Sequence, residues 1–416
     1  MRIEIISIIF LLIVVTVGFV KQINIGFFSI GAAFLLGNIG GLSEKAIISG
    51  FGSSMFVTLT GVSFLFGMAQ INGTLELMSK KIISLVGKNT FIIPILMFIL
   101  SAFVSAIGPG HIATGVLMTT FAVYLSVEMK INPFITALLA KLGANAGSMS
   151  PISPAGVIAY NLSEPLGYTD FGYKLLLTNV LSALFFALIV FIVSKSYKVK
   201  ADNPMKWSEL DKFNSKQRIT LLFMVIMVVI SITFKLNVGL TSFVVAGILL
   251  LLNVADEKKA IKTIPWGTLV LIVGVGMLIN VVKELGGIKY ISDMLISMMT
   301  PKTATTIVAA TSGVLSWFSS TTGVVMPTMF PISAEIVNSF AGNVSYYELV
   351  AAICSTSFAA ALSPLSTGGA IIISTYAATT DLDTKEQNRL FKVLFLLSLG
   401  NVVFNVILAT IGFFGI

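Results

Sequence analysis

A ten-residue motif occurs twice in this chain. Gly147-Ser148-Met149-Ser150-Pro151-Ile152-Ser153-Pro154-Ala155-Gly156 is matched by Ala360-Ala361-Leu362-Ser363-Pro364-Leu365-Ser366-Thr367-Gly368-Gly369, 213 residues on in a chain of 416. The match sets Ser150 on Ser363, Pro151 on Pro364 and Ser153 on Ser366. Each copy puts prolines and hydroxyls into an apolar stretch of membrane-spanning length. Unpaired backbone inside a bilayer costs several kcal/mol per group, so a break is tolerated only where protein, water or a ligand satisfies it. A broken helix exposes amides carrying about half a positive charge and carbonyls carrying the opposite. The amide ends suit an anion, and carbonyls with hydroxyls suit Na+. Ser150, Pro151, Ser363, Pro364, Ser366 and Thr367 are therefore candidates for an anionic substrate. Asn145, Ser148, Ser153, Ser355 and Ser357 are candidates for an ion. A single mid-membrane serine usually bonds back to its own helix; two matched copies favour a site.

Two ionisable residues join them. His111 follows Gly108-Pro109-Gly110, and Lys141 lies about 15 Å into an apolar span at 1.5 Å per residue. An ionisable side chain at that depth is functional by default. No Asp or Glu falls in the central part of any span, so the midplane holds cations and amides without carboxylates. That balance suits an anionic substrate. His111 reads equally as a neutral imidazole on a backbone carbonyl. Lys141 is expected to face the first broken helix as a tethered cation.

The elements that position these residues follow from hydropathy. With 56% hydrophobic and 11% charged residues, the chain is an all-α polytopic membrane protein. Apolar runs of spanning length fall near 3–20, 23–40, 50–70, 132–160 and 172–194, then near 218–235, 237–253, 265–283, 348–378 and 391–415. The first run lacks a small-x-small cleavage site and reads as a retained helix. Between the third and fourth span of each half lies a segment with a polar, Gly/Pro-containing centre, about 89–129 and 303–338. Their flanks read as too short to cross, so both are expected to be re-entrant hairpins. Thr114-Gly115-Val116-Leu117-Met118 in the first matches Thr322-Gly323-Val324-Val325-Met326 in the second. Five spans and one hairpin per half give ten spans and two hairpins. An odd number per half makes the halves an inverted repeat: 1–194, a basic linker 195–218, and 219–416.

The net charge of +8 comes from short loops and reads as an orientation signal. With both termini outside, Lys80, Lys81, the linker cations, Lys258, Lys259, Lys262 and Arg389 fall in the cytoplasm. One cysteine and one histidine exclude an intrachain disulfide, a cysteine cluster and the usual metalloenzyme motifs. No nucleophile-base-acid set is present, and nothing points to nucleic acid or an organic cofactor.

Gly143-Ala144-Asn145-Ala146-Gly147-Ser148-Met149-Ser150-Pro151-Ile152-Ser153-Pro154-Ala155-Gly156-Val157 closely resembles malonate/dicarboxylate carriers of the MatC type. The hairpin-then-broken-helix order, and Pro265-Trp266-Gly267 before a Gly-rich span, are similar to the ion transporter superfamily that includes the divalent anion/sodium symporters. The resemblance implies homodimers, an elevator motion, and hairpin tips that hold substrate carboxylates and help bind Na+. By position the tips fall on Gly108 to His111 and on Ser319-Ser320-Thr321. Gly110, His111, Thr114, Ser319, Ser320 and Thr321 then join the substrate set, and Gly108 and Thr322 the ion set. The expected function is Na+-coupled uptake of a C3 or C4 dicarboxylate across a bacterial-type inner membrane. An H+-coupled symporter or an anion exchanger of the same fold, and more remotely a passive anion channel, are the alternatives.

Overall fold

The structure is a computed structural model. It describes residues 2–21, 23–84, 90–198, 207–234, 236–264, 266–364, 366, 368–369, 372–373, 376 and 384–415. The described residues are helical with no strand, and apart from the position matching α9, which lies largely outside the described residues, the same order of helices runs through both halves. The first half is α1 (Ile3–Lys21), α2 (Ile25–Ile39), α3 (Glu44–Ser49), α4 (Ser53–Ile71), α5 (Thr74–Ser84), α6 (Ile93–Ala106), α7 (Gly110–Glu128), α8 (Pro133–Gly147), α9 (Pro154–Ser163) and α10 (Gly172–Val193). The second is α11 (Ser215–Thr233), α12 (Val238–Leu251), α13 (Glu257–Thr263), α14 (Trp266–Glu284), α15 (Gly287–Ile296), α16 (Ala304–Phe318), α17 (Met326–Ser339), α18 (Tyr346–Ala360) and α19 (Thr384–Thr410).

The match extends to atoms. Asn24 and Asn237, also 213 apart, are the N-caps of α2 and α12, each accepting from a backbone amide in the first turn. Gly26 on α2 packs against Gly274 on α14, and Gly239 on α12 against Gly61 on α4. These pairs exchange under the same offset, and a Cβ on any of the four would strike the facing backbone. Lipid gives apolar helices little reason to associate, so such backbone approach is what holds them. α2 with α14 and α4 with α12 thus form one body, with α1 against α2 and α15.

The sequence missed one feature. The third span of each half bends, by 67° between α4 and α5 and by 76° between α14 and α15. The bends fall at Gly73 (φ +75°) and Gly286 (φ +82°), a left-handed conformation that glycine adopts without strain. Hydropathy records apolar length and not direction, so a bent span reads as a straight one.

The span count also differs by length. Among the described residues α7, α10 and α19 each contain a stretch long and apolar enough to cross, and the two bent pairs bring this to five. α2, α12 and α16 are shorter apolar helices, as are the apolar parts of α1 and of the segment Thr90–Ala106. The flank after the first hairpin tip is therefore not short: Gly110–Val127 is of spanning length. α17 is shorter, because the chain after the second tip first makes a π-helical turn, Thr321–Val325. The linker ends earlier than 218, since an Asn214/Gln217 capping box starts α11 at Ser215.

Candidate functional site

The first break is built on close packing. Gly143 and Gly147 let α8 lie on α6, where a Cβ on either would strike the carbonyls of Phe98 and Ala102. After Gly147 the chain turns: Ser150 N donates to Gly147 O (3.2 Å), Ser153 N to Ser150 O (2.9 Å) and Gly156 N to Ser148 O (2.9 Å). Pro154 then opens α9, where a missing N–H costs nothing. The second break repeats this, with Ser363 N on Ala360 O (2.9 Å) and Ser366 N on Ser363 O (2.9 Å). Gly156 and Gly369 each lie against the carbonyl of the break serine, Ser150 and Ser363. Pro151 and Pro364 sit within the two turns, and Thr367 lies outside the described residues.

Several proposed hydroxyls are already engaged. Ser148 Oγ donates to Asn145 O (2.7 Å), Ser357 Oγ to Ile353 O (2.6 Å), Ser366 Oγ to Ser363 O (2.7 Å) and Ser319 Oγ to Leu315 O (2.6 Å). Ser320 caps the π-helical turn through Gly323 N (3.1 Å), and Thr321 Oγ1 donates to Ser357 O (3.2 Å). The buried polar atoms without a hydrogen-bond partner include His111 Nδ1, Thr114 Oγ1, Asn145 Oδ1 and Ser153 Oγ. All four belong to the first hairpin and the first break. The His111 ring lies edge-on to Phe358 at 5.1 Å, Asn145 Nδ2 donates to Phe358 O (3.3 Å), and a Cβ on Gly110 would lie 3.4 Å from Ser153 Oγ. Asn145 and Phe358 are repeat mates, so the two halves touch here at corresponding positions.

Lys141 is buried, at 2% exposure, and its Nζ donates to His111 O at 2.9 Å. A Cβ on Gly115 would lie 2.7 Å from Nζ, and one on Gly368 2.9 Å from Cε. The lysine therefore faces the first hairpin and the second break, and not the first break as expected. The reason is the azimuth of α8: Lys141 points at α7 and the second break, and Asn145, one turn on, at α18. Beside Gly108, where a Cβ would strike the Phe66 ring, a cavity of about 230 Å³ opens between the first hairpin tip and α4 and α14. Gly110, His111, Pro154 and Thr322 line one wall, and Leu59, Phe66, Leu269 and Ile272 the other.

Sequence reading missed the groups that take up the carbonyl ends. At α18, Ser357 O accepts from Ser316 Oγ (2.8 Å), Phe358 O from Asn145, and Ala360 O from Ser398 Oγ of α19 (3.0 Å). Trp317 Nε1 donates to Ser398 Oγ in turn (3.1 Å). At α8, Asn179 Nδ2 of α10 donates to Ala146 O (3.0 Å) and Asn145 O (3.4 Å), while Ser355 Oγ donates to Asn179 Oδ1 (3.1 Å). Asn179 was visible as an amide inside an apolar span. Its target was not, because helix facing is a property of packing.

Residues 1–148 match the family model of the dicarboxylate carrier protein MatC N-terminus. The match ends at the first break, and over that part of the chain the MatC-type resemblance holds. That family is one of carriers and not of enzymes. A comparison with curated proteins gives no match. Among solved structures the chain is similar to the YdaH transporter of Alcanivorax borkumensis, described as having an unusual topology. The identity is 10% and the TM-score 0.59, over 88% of this chain and 86% of that one. At that identity the likeness is one of fold. The chain is thus similar in fold to a transporter over most of its length, and to a dicarboxylate carrier family over residues 1–148.

Proposed function

We propose that the chain is a secondary carrier for a small dicarboxylate, three or four carbons long, driven by Na+ across a bacterial-type inner membrane. The observation that carries this reading is Lys141 in its setting. It is a buried cation on a hairpin carbonyl, beside unpartnered oxygens and an imidazole nitrogen, with no carboxylate in the central part of any span. An isolated charge at a helix centre costs about 2.5–3.5 kcal/mol on the insertion scale, so a counter-charge is favoured there. A carboxylate supplies it. Thr114 Oγ1, Asn145 Oδ1 and Ser153 Oγ are hard oxygen donors of the kind Na+ takes. Na+ then offsets the second carboxylate. A dianion, Lys141 and a single Na+ sum to zero, and a neutral load crosses an apolar barrier most easily.

The moving body in this reading is α6–α10 with α16–α19, and the fixed body is α1–α5 with α11–α15. The cavity between α4/α14 and the hairpin lies on the boundary, where an elevator would slide. Homodimers through the fixed body are part of the proposal. The same lysine favours one second reading, an H+-coupled or exchanging carrier in which the fixed cation replaces Na+.

Purified protein in liposomes, given labelled malonate and succinate with and without an inward Na+ gradient, tests both. Uptake that rises with the gradient is expected. Equal uptake without Na+, or uptake only against internal dicarboxylate, would move the assignment to the second reading. No uptake of either acid would remove the dicarboxylate assignment.

A further inference from the structure

We propose that Asn179 is a positioning residue for the first break and that the second half holds it in place through Ser355. The last carbonyls of a helix lack intrahelical partners, and in a membrane the protein must satisfy them. At the end of α8 one buried amide serves two of them, Ala146 O at 3.0 Å and Asn145 O at 3.4 Å. Asn179 is 2% exposed, and its own oxygen accepts from Ser355 Oγ at 3.1 Å. Ser355 lies on α18, whose Phe358 carbonyl takes the Asn145 side chain. The backbone of Asn145 is thus fixed by Asn179, its Nδ2 by Phe358, and its Oδ1 is left unpartnered. Asn145 is presented by a frame that its own half does not complete.

The second break is held differently. Ser398 of α19 takes Ala360 O, but Trp317, which donates to Ser398, belongs to the same half. Only the first break, among the described residues, is held by a bridge of this kind running from the long helix of one half to the broken helix of the other. A distortion of α18 is transmitted to the Asn145 oxygen through Ser355 and Asn179. The two halves of the site therefore change shape together.

The test has one arm that needs no transport. Hydrogen exchange in detergent is followed at the amides of residues 148–156 in wild type, Asn179→Leu and Ser355→Ala. Leucine keeps the branched shape and the number of heavy atoms and removes both polar ends. Exchange about tenfold faster in this segment is expected in Asn179→Leu, with α10 and α18 unchanged, as for a local opening. The second arm is labelled malonate uptake in liposomes. The half-saturation concentration should rise about tenfold in Asn179→Leu and about threefold in Ser355→Ala, with the maximal rate within about twofold. Ser355→Thr, which keeps the donor, should restore both readouts. Unchanged exchange in 148–156, or a fall in maximal rate with half-saturation unchanged, overturns the proposal. The positioning role rests on the carrier reading only in the second arm. If wild type takes up no dicarboxylate, that reading fails and the exchange arm still decides this one.

Discussion

The hydroxyls along the two breaks divide by what they already bond, and that division predicts which substitutions matter. Ser148 and Ser366 donate to carbonyls of their own segment. The Asn145 carbonyl that Ser148 serves also accepts from Asn179 Nδ2, so removing the Ser148 hydroxyl orphans no acceptor and takes nothing away from a ligand, whereas Ser366 Oγ also donates to Ala361 O. Ser153 Oγ and Thr114 Oγ1 are buried without a partner. A ligand that satisfies them stabilises the bound state. Ser153→Ala and Thr114→Ala should each raise the half-saturation concentration for Na+ or malonate about tenfold, and Ser148→Ala by less than about twofold. Uptake titrations check this, with size-exclusion profiles as the control for folding. Equal effects at all three positions would return Ser153 and Thr114 to a packing role. Lys141 allows a sharper test. Lys141→Met keeps the aliphatic stem and removes the charge, and should change the Na+ dependence of uptake more than the ratio of malonate to succinate. A wild-type Na+ titration in that variant would sink its role as a fixed cation. That Lys141 would be a buried cation was legible, because an ionisable group deep in an apolar span stands out from its surroundings. Where it pointed was not, since the direction depends on how α8 is rotated against α7 and α18.

At the scale of elements, the breaks were readable and the bends were not. Pro151, Pro154 and Pro364 interrupt apolar runs with residues that cannot continue a helix, a local fact that any context preserves. The turns at Gly73 and Gly286 sit between an apolar helix and a short amphipathic one, and periodicity alone does not separate a bend from a continuation. The close-packing glycines are a third case. Gly143 and Gly147 form a small-xxx-small pair, which is a pointer to helix approach, but the partner had to come from the structure. Because a Cβ on Gly143 would strike the Phe98 backbone, with no side chain to move aside, Gly143→Ala should destabilise the first half by about 1–3 kcal/mol. Gly31→Ala, at a position on α2 with open space around it, should be close to neutral. Thermal unfolding in one detergent compares the two. A Gly143→Ala protein as stable as Gly31→Ala would mean that α6 and α8 are free to separate.

At the scale of the whole molecule, the charges read as an orientation signal are brought together by the fold. Lys81 at the end of α5 lies over the Trp207 ring (4.5 Å) and near that of Phe213 (5.7 Å), which ties this end to the linker. Gln217 Nε2 donates to Asn72 O (3.1 Å), and Gly67 of α4 lies against Thr263 of α13. The described cations of α5, of the linker and of α13 therefore gather at one end of the molecule. The opposite end is marked by the start of α1 against α15, where Gly287 meets Ser7. The acidic, cation-free loop between α9 and α10, with Glu164 and Asp170, is separated from the linker by the whole length of α10. A positive end is retained in the cytoplasm because translocating short loops with Lys and Arg is disfavoured. Two exposed positions report on this: Thr169 in the loop before α10 and Ser215 at the start of α11. The native Cys354 is buried and gives no background. In intact cells a membrane-impermeant maleimide should label Thr169→Cys, and should label Ser215→Cys only after the membrane is opened. Labelling of both from outside would place an even number of crossings between them and end the odd-numbered, inverted arrangement of the halves. The reverse pattern would keep that arrangement and turn the molecule over, with the cation-rich end outside.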